Sequence, residues 1–367
     1  MAQGRLRIVD QGILSHDTSR GAFMPSMTPL SDGTWIACQH VGKELASADN
    51  RIEVLRSIDG KHWQNQGCMH AMDDRWAYRG PDIEQLPDGR LLMTATRFEN
   101  TDAALFNPDS EGLQRPEMLL FWSTDQGANW SLPEVVPVDL PPERYTWNKA
   151  GRLIQSSPLR WLYTFETWKP DTYDGTPDQK AAAVISSDEG QTWGELTVMA
   201  DDTTGKLLWW DQMNTQLANG NLLVMLWTHR YGTKEDLNVH TIISEDEGRT
   251  WSEPRPTNLP GQVCSPIALP DGRVAAIYNH RQQPQGIRVA LSDDLVSFDR
   301  EREAVVFDAG VEATFGETDH ENFLAEHMLI AFGKPQGICL TDGTLLTFFW
   351  CTSQGVTHTR WVRLSVD

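Results

Sequence analysis

Residues able to transfer protons or to recognise a charged group gather in six short stretches: "CQHVGK" from Cys38, "TRFEN" from Thr96, "FETWK" from Phe165, "THRYG" from Thr228, "YNHRQ" from Tyr278 and "WCTSQ" from Trp350. Four carboxylates, Asp82, Glu99, Glu166 and Asp211, could supply an acid and a base or nucleophile. The imidazoles of His229 and His280 could instead remove a proton next to a carboxylate while an arginine neutralises the charge that develops. Arg79, Arg97, Arg230, Arg281 and Arg288 offer forked guanidiniums that match a carboxylate, and His40 adds a donor or acceptor. Trp147, Trp168 and Trp210 offer flat apolar faces.

These residues act together only if the chain brings the six stretches to one place. An internal repeat does this. "STDQGANW" from Ser123, "SSDEGQTW" from Ser186 and "SEDEGRTW" from Ser244 are near copies, with a shortened "SIDGKHW" at Ser57 and a decayed "LSDDLVSF" at Leu291, whose box aspartate is read as Asp293. The copies recur every ~50–70 residues, the spacing of propeller blades. A second signal interleaves with the first: "LSDG" at Leu30, "LPDG" at Leu86, "LANG" at Leu217, "LPDG" at Leu269 and "LTDG" at Leu340. Asp-Gly or Asn-Gly between apolar runs marks a β-hairpin, because these residues accept positive φ. "GRLIQSSPLRWLYTFE" from Gly151 supplies the missing hairpin around Ser-Pro. The pattern predicts an all-β, six-bladed propeller of four-stranded antiparallel blades spanning 1–367 as one domain. The sixth unit stops after its third strand, so "GRLRIVDQGIL" near the N-terminus is expected to close the last blade.

Ser-x-Asp-x-Gly-x-x-Trp resembles the Asp-box, or BNR repeat, of the sialidase (neuraminidase) superfamily, whose propellers also have six blades. The resemblance covers nearly the whole chain. It implies that the boxes are outer-edge turns and that a central pocket is lined by the starts of the first strands and the loops after the second strands. Those loops are the six stretches above. It also implies a substrate-binding arginine trio, a Tyr–Glu nucleophile pair and an Asp acid/base. This chain departs from that set. Phe23 and Met24 precede Pro25 where an arginine is expected, and "GKPQGICLTDG" offers no tyrosine. Arg230 and Arg288 are the expected later arginines, and Asp211 or Gln212 stands at the glutamate position. The expectation is therefore a sialidase-like, exo-acting glycosidase that is not a strict sialidase, working on a sugar that carries a carboxylate. A uronide lyase using His40, His229, His280 and Arg230 or Arg281, and a non-catalytic sugar-binding propeller, stay open as alternatives.

Bulk properties narrow the classes further. The 367-residue chain is 40% hydrophobic and carries a net charge of −20, which argues against nucleic acid as a partner. The start lacks a signal-like apolar segment and no apolar run approaches membrane-spanning length, so the expected location is cytoplasmic. The five cysteines are scattered, without a CxxC or Cys/His cluster. No cofactor is expected; a divalent metal on the pocket histidines is the lesser alternative, since they lack the HxH or HxxxH spacing of a metal site. Residues 309–334, with His320, Glu321 and His327, form the longest connection between blades and are expected to rim the pocket.

Overall fold

The computed structural model describes residues 4–69, 73–101, 104–310 and 330–367. Six antiparallel sheets follow one another along the chain. Blade 1 is Gly21–Pro29, Trp35–Gly42, Arg51–Ser57 and Gln64–Cys68; blade 2 is Trp76–Gln85, Leu91–Glu99, Glu117–Ser123 and Glu134–Val136. In blade 3 the innermost strand is split into Thr146–Lys149 and Ile154–Gln155, both paired with Trp161–Trp168, followed by Ala181–Ser186 and Glu195–Ala200. Blade 4 is Leu207–Gln216, Leu222–Arg230, His240–Ser244 and Arg255–Pro256; blade 5 is Gln262–Ala268, Val274–His280, Gly286–Ser292 and Ala304–Asp308. Blade 6 takes Phe332–Cys339, Leu345–Ser353 and Val356–Val366 from the C-terminal end, and its fourth strand is the N-terminal Leu6–Ser15. The strands of each blade are called A to D from the axis outwards. The only helix among the described residues is a single 3-10 turn, Arg300–Arg302.

Local chemistry sets the A–B hairpins. In the first, Leu30 N–H donates to Thr34 O at 2.8 Å, Asp32 Oδ1 accepts the Thr34 N–H at 2.9 Å, and Gly33 takes φ 85°. The same Leu-to-strand hydrogen bond recurs at Leu86, Leu217, Leu269 and Leu340. The side chain of an Asp or Asn ties its own turn, which is why these residues recur there.

The boxes join neighbouring blades. In each full copy the aspartate accepts the serine hydroxyl and the backbone N–H four residues on: Ser123 Oγ to Asp125 Oδ1 is 2.9 Å and Asn129 N to the same oxygen is 2.9 Å. Asp188 and Asp246 repeat this with Ser186 and Ser244, and with the amides of Thr192 and Thr250. In blades 2 and 4 the box glycine lies against the preceding blade, whereas Gly190 in blade 3 lies against Trp161 of its own blade. A Cβ on Gly127 would stand 2.4 Å from Ile36 Cδ1, and one on Gly248 would stand 2.4 Å from Leu162 Cδ2. Arg160 of blade 3 donates to Glu247 O in the blade 4 box at 3.0 Å, and Arg56 of blade 1 donates to Gln126 O in the blade 2 box. In the decayed copy the box aspartate is Asp294 rather than the expected Asp293. Ser292 Oγ donates to Asp294 Oδ1 at 3.1 Å, and Asp294 accepts the amides of Val296 and Ser297. The copy keeps the Ser-x-Asp spacing, and its doubled aspartate obscured the register.

Apolar side chains fill the spaces between adjacent sheets, as with Ile36, Ile52 and Val54 of blade 1 against Ile83, Leu91 and Met93 of blade 2. The axis itself is polar. Lys149 Nζ donates to Asp82 Oδ2, Gln336 Nε2 donates to Asp82 Oδ1 at 2.8 Å, and Arg152 Nε donates to Gln336 Oε1 at 2.9 Å. This buried network joins blades 2, 3 and 6 and forms the floor of the site.

Candidate active site

Above that floor the A strand of blade 5 slips between Gln262 and Cys264, and the four other bulged A strands share one pattern. The register slips between Phe23 and Ser26, Arg79 and Asp82, Trp210 and Met213, and Gly333 and Gln336. At each of these four slips one residue has positive φ: Met24 48°, Gly80 55°, Asp211 41° and Lys334 43°. Three of the four are not glycine, so the backbone holds sterically unfavourable conformations at equivalent places around the ring. Bulges re-aim side chains, and Met24, Asp211 and Lys334 all line a central cavity of about 180 Å³.

One side of the cavity is aromatic. Trp168 meets Trp210 edge-on at 5.5 Å and Trp210 meets Trp227 edge-on at 4.9 Å. A small hairpin in the blade 2 B–C loop, Phe106–Asn107 with Gly112–Leu113, extends this wall. It is anchored to blades 3 and 4: Trp168 Nε1 donates to Glu111 O at 2.6 Å, and the Tyr231 hydroxyl donates to Glu111 Oε2 at 2.7 Å.

The charged side holds Glu166 and Asp211. Glu166 Oε1 accepts Asn148 Nδ2 at 3.0 Å and its Oε2 accepts the backbone N–H of Asp211 at 2.6 Å. Asp211 Oδ1 forms an ion pair with Lys334 Nζ at 3.0 Å. Burial, reinforced by the neighbouring Asp211 charge, pushes the Glu166 carboxyl up to about 8, against the pull of its two hydrogen bonds and Lys334. Burial works against the Lys334 ammonium, but Asp211, Asp82 and Glu166 together outweigh it and raise the group. Two guanidiniums complete the lining. Burial lowers Arg79 to about 10 and Arg281 to about 9, so both remain protonated at neutral pH. Arg79 Nε donates to Leu45 O at 3.1 Å. Arg281 donates to Gln262 Oε1 at 3.0 Å and Phe332 O at 2.8 Å, with its guanidinium 4.1 Å from the Phe332 ring centre. Two carboxyl groups with opposed environments beside three cations can divide acid and base roles and can hold an anionic group.

Of the residues singled out in sequence, Arg79, Glu166, Trp168, Trp210, Asp211 and Arg281 line the cavity. The others do not. Asp82 lies in the floor network, where Lys149 and Arg152 overcome burial and hold its carboxyl below the usual range. His40 is buried behind the wall, with Nε2 3.1 Å from Leu45 O. His229 turns to Asp236 at 3.0 Å, and His280 to the carbonyls of Gln282 and Pro284 at 2.9 and 3.2 Å. Arg97 and Glu99 pair with Glu117 and Arg75, and Glu99 borders only a shallow neighbouring depression. Arg230 pairs with Glu235, and Arg288 with Glu303, so neither supplies the arginine the resemblance implied. Trp147 belongs to the core between blades 2 and 3. Apart from Asp82, held by blades 3 and 6, and Trp147, packed between blades, each of these is drawn away by a nearer partner on its own blade or loop.

Met24, Gln262, Asn279, Lys334 and Trp350 line the cavity and were not among the expected site residues. Lys334 lies at the end of the connection expected to rim the pocket. Residues 311–329 of that connection, including His320, Glu321 and His327, are outside the described residues, while Ile330 and Lys334 reach the cavity wall.

The ring of box-stapled blades around an axial cavity defines a six-bladed propeller built on BNR-type boxes, consistent with the sialidase superfamily. The sequence profile of the BNR repeat-like domain matches residues 103–310, more than half of the chain, and the chain belongs to that family. Comparison with curated proteins finds no match. Among solved structures, a protein of unknown function from Dyadobacter fermentans is similar with TM-score 0.76 at 20% identity, over 99% of both chains. An α-L-arabinanase of Penicillium chrysogenum complexed with arabinobiose gives TM-score 0.68 at 13% identity over 98% of both chains. A leech intramolecular trans-sialidase complexed with 2,7-anhydro-Neu5Ac gives 0.61 at 12% identity, over 94% of this chain and 68% of the other. At these identities the likeness is one of fold.

Proposed function

We propose that the protein is a glycoside hydrolase that binds the terminal, carboxylate-bearing unit of a sugar chain in the axial cavity. The observation that carries this reading is the Glu166–Asp211 pair: one carboxyl is raised by burial and the other is ion-paired to Lys334, and both face one cavity. Environments that separate two carboxyls in this way assign an acid and a base. Glu166 would pass its proton to the glycosidic oxygen as the bond to the anomeric carbon breaks. Asp211 would either activate the incoming water or add to that carbon before water releases the sugar.

Support for an acidic sugar comes from the charge balance. Arg79, Arg281 and Lys334 face Asp211 and a Glu166 whose raised pKa favours the neutral acid, so the cavity is locally cationic inside a chain of net charge −20. Trp168 and Trp210 offer aromatic surface to the C–H faces of a ring. The volume of about 180 Å³ is below the ~300–1,000 Å³ usual for drug-sized ligands, which suits a single sugar unit. The ligands named for the arabinanase and the trans-sialidase are consistent with a carbohydrate ligand. The lyase alternative needs a histidine at the substrate, and no histidine lines the cavity among the described residues.

The test is turnover of aryl glycosides of N-acetylneuraminic, glucuronic and galacturonic acid, with aryl α-L-arabinofuranoside as the neutral comparison. Release of the aryl group from an acidic glycoside, abolished in Asp211→Asn, supports the proposal. Binding without release from any of them contradicts it in favour of a lectin-like role.

A further inference from the structure

Gln262 and Asn279 are cross-strand neighbours in blade 5, one on strand A and one on strand B, and both line the axial cavity. Facing neighbours in a sheet share the same surroundings, yet the two amides are treated differently. Gln262 is fully engaged: its Nε2 donates to Asp236 Oδ2 at 2.8 Å and its Oε1 accepts from Arg281 Nε. Asn279 is completely buried, and neither its Oδ1 nor its Nδ2 has a hydrogen-bond partner among the described residues. The residues on either side of Asn279 are satisfied elsewhere. The Tyr278 hydroxyl donates to Glu303 at 2.5 Å, and His280 bonds the Gln282 and Pro284 carbonyls.

Buried amides are almost always hydrogen-bonded and an exception calls for an explanation, which for an amide with both ends unpaired at a cavity wall is a partner from outside the protein. Leucine would fill the same space without the desolvation of two polar atoms. A primary amide presents N–H donors and an acceptor side by side. Its complement is a group that donates and accepts at once, such as a hydroxyl or a pair of adjacent hydroxyls. A carboxylate satisfies only the donors, and an apolar ring satisfies neither.

We infer that Asn279 is a specificity-determining residue that hydrogen-bonds ring hydroxyls of the bound sugar, next to the group held by Arg281. This rests on the carbohydrate reading of the cavity and adds the feature by which a polyol is told from another anion. Arg79 and Arg281 attract any small carboxylate, whereas a site built to hydrogen-bond a hydroxyl discriminates strongly against ligands lacking it.

The experiment uses the whole chain and four probes measured by titration calorimetry: N-acetylneuraminate, D-glucuronate, L-arabinose and cyclohexanecarboxylate, which carries the acid on a ring without hydroxyls. The wild type is expected to bind a sugar acid at least tenfold more tightly than cyclohexanecarboxylate. In Asn279→Leu the sugar should lose about tenfold to a hundredfold in affinity, with cyclohexanecarboxylate unchanged. Without ligand, Asn279→Leu should melt at or above the wild-type temperature, because no bond within the protein is lost. Equal wild-type affinity for sugar acid and cyclohexanecarboxylate, a need for no variant in that comparison, overturns the inference. So does sugar binding that is indifferent to Asn279→Leu, or a melting temperature lowered by many degrees with affinity intact. Binding of L-arabinose that depends on Asn279 without any preference for acids would keep the inference and refute the acidic-sugar reading. Binding of none of the sugars would overturn both.

Discussion

Glu166 accepts the backbone N–H of Asp211 at 2.6 Å, so the carboxyl of blade 3 is fixed by the peptide that also aims the carboxyl of blade 4. The bulge that gives Asp211 its φ of 41° is thereby tied to the group it works beside. Lys334, itself at φ 43°, closes the arrangement from blade 6 by pairing with Asp211. Three blades thus converge on one pair of carboxyl groups.

Stability should depend on pH through two glutamates, the buried Glu166 and the half-buried Glu84. Burial raises Glu166 to about 8 and Glu84 to about 7. A raised folded-state value means that the folded protein binds more protons than the unfolded chain between the unfolded value, ~4.3, and the folded one. Stability is therefore greatest below pH ~4.3 as far as these groups are concerned, and it declines as pH rises to about 7 or 8. Glu84→Gln should melt a few degrees above wild type at pH 8 and match it near pH 4, as read by calorimetry at both pH values.

The floor pair is structural, and its loss should show as instability. Asp82 and Lys149 have side chains only 7% and 4% exposed. Removing one partner leaves a buried charge, so Asp82→Ala should cost about 3–5 kcal/mol. The double variant Asp82→Leu/Lys149→Met should recover much of that loss. Urea unfolding of the three proteins checks the order.

Box substitutions should change stability and leave ligand binding alone. Asp246→Ala removes the acceptor of the Ser244 hydroxyl and the Thr250 amide, with an expected cost of about 1–2 kcal/mol. Gly248→Val should cost more, since φ is 80° and the new Cβ would meet Leu162 at 2.4 Å. Sugar affinity at a temperature where both variants are folded should equal that of wild type.

The ring closes through the N-terminal strand. Leu6–Ser15 pairs with Val356–Val366 along most of its length. Deleting residues 1–15 opens an edge on blade 6 and should lower the melting temperature by more than 10 °C, roughly, with self-association from the unpaired edge. Differential scanning calorimetry and light scattering measure both effects.

The fold could be read from the sequence because its signals are local. A Ser-x-Asp turn and a Leu-x-Asp-Gly hairpin each satisfy their own backbone, and their alternation counts the blades. The site was legible only in part, because a strand exposes alternate residues to one face. In "FETWK", Glu166 and Trp168 reach the cavity while Thr167 turns to Asp178 O. In "YNHRQ", Asn279 and Arg281 reach it while the intervening His280 does not. Which parity faces the axis depends on the bulges and on how each loop folds back, as with Leu45 covering His40. Lys334 escaped notice for a related reason. Its place on the axis follows from the slip between Gly333 and Gln336, and no motif marks that slip.

The central claim is that Glu166 is the proton donor of a hydrolytic site, and the most direct measurement is kcat/KM against pH for wild type and Glu166→Gln on the best acidic aryl glycoside. An acid works only while protonated, so wild-type activity should fall as pH rises through about 8. Glu166→Gln should lose that limb and about 10²–10⁴-fold in rate with a poor leaving group, but much less with an activated one. A Glu166→Gln enzyme with the wild-type rate and the same alkaline limb would contradict the account.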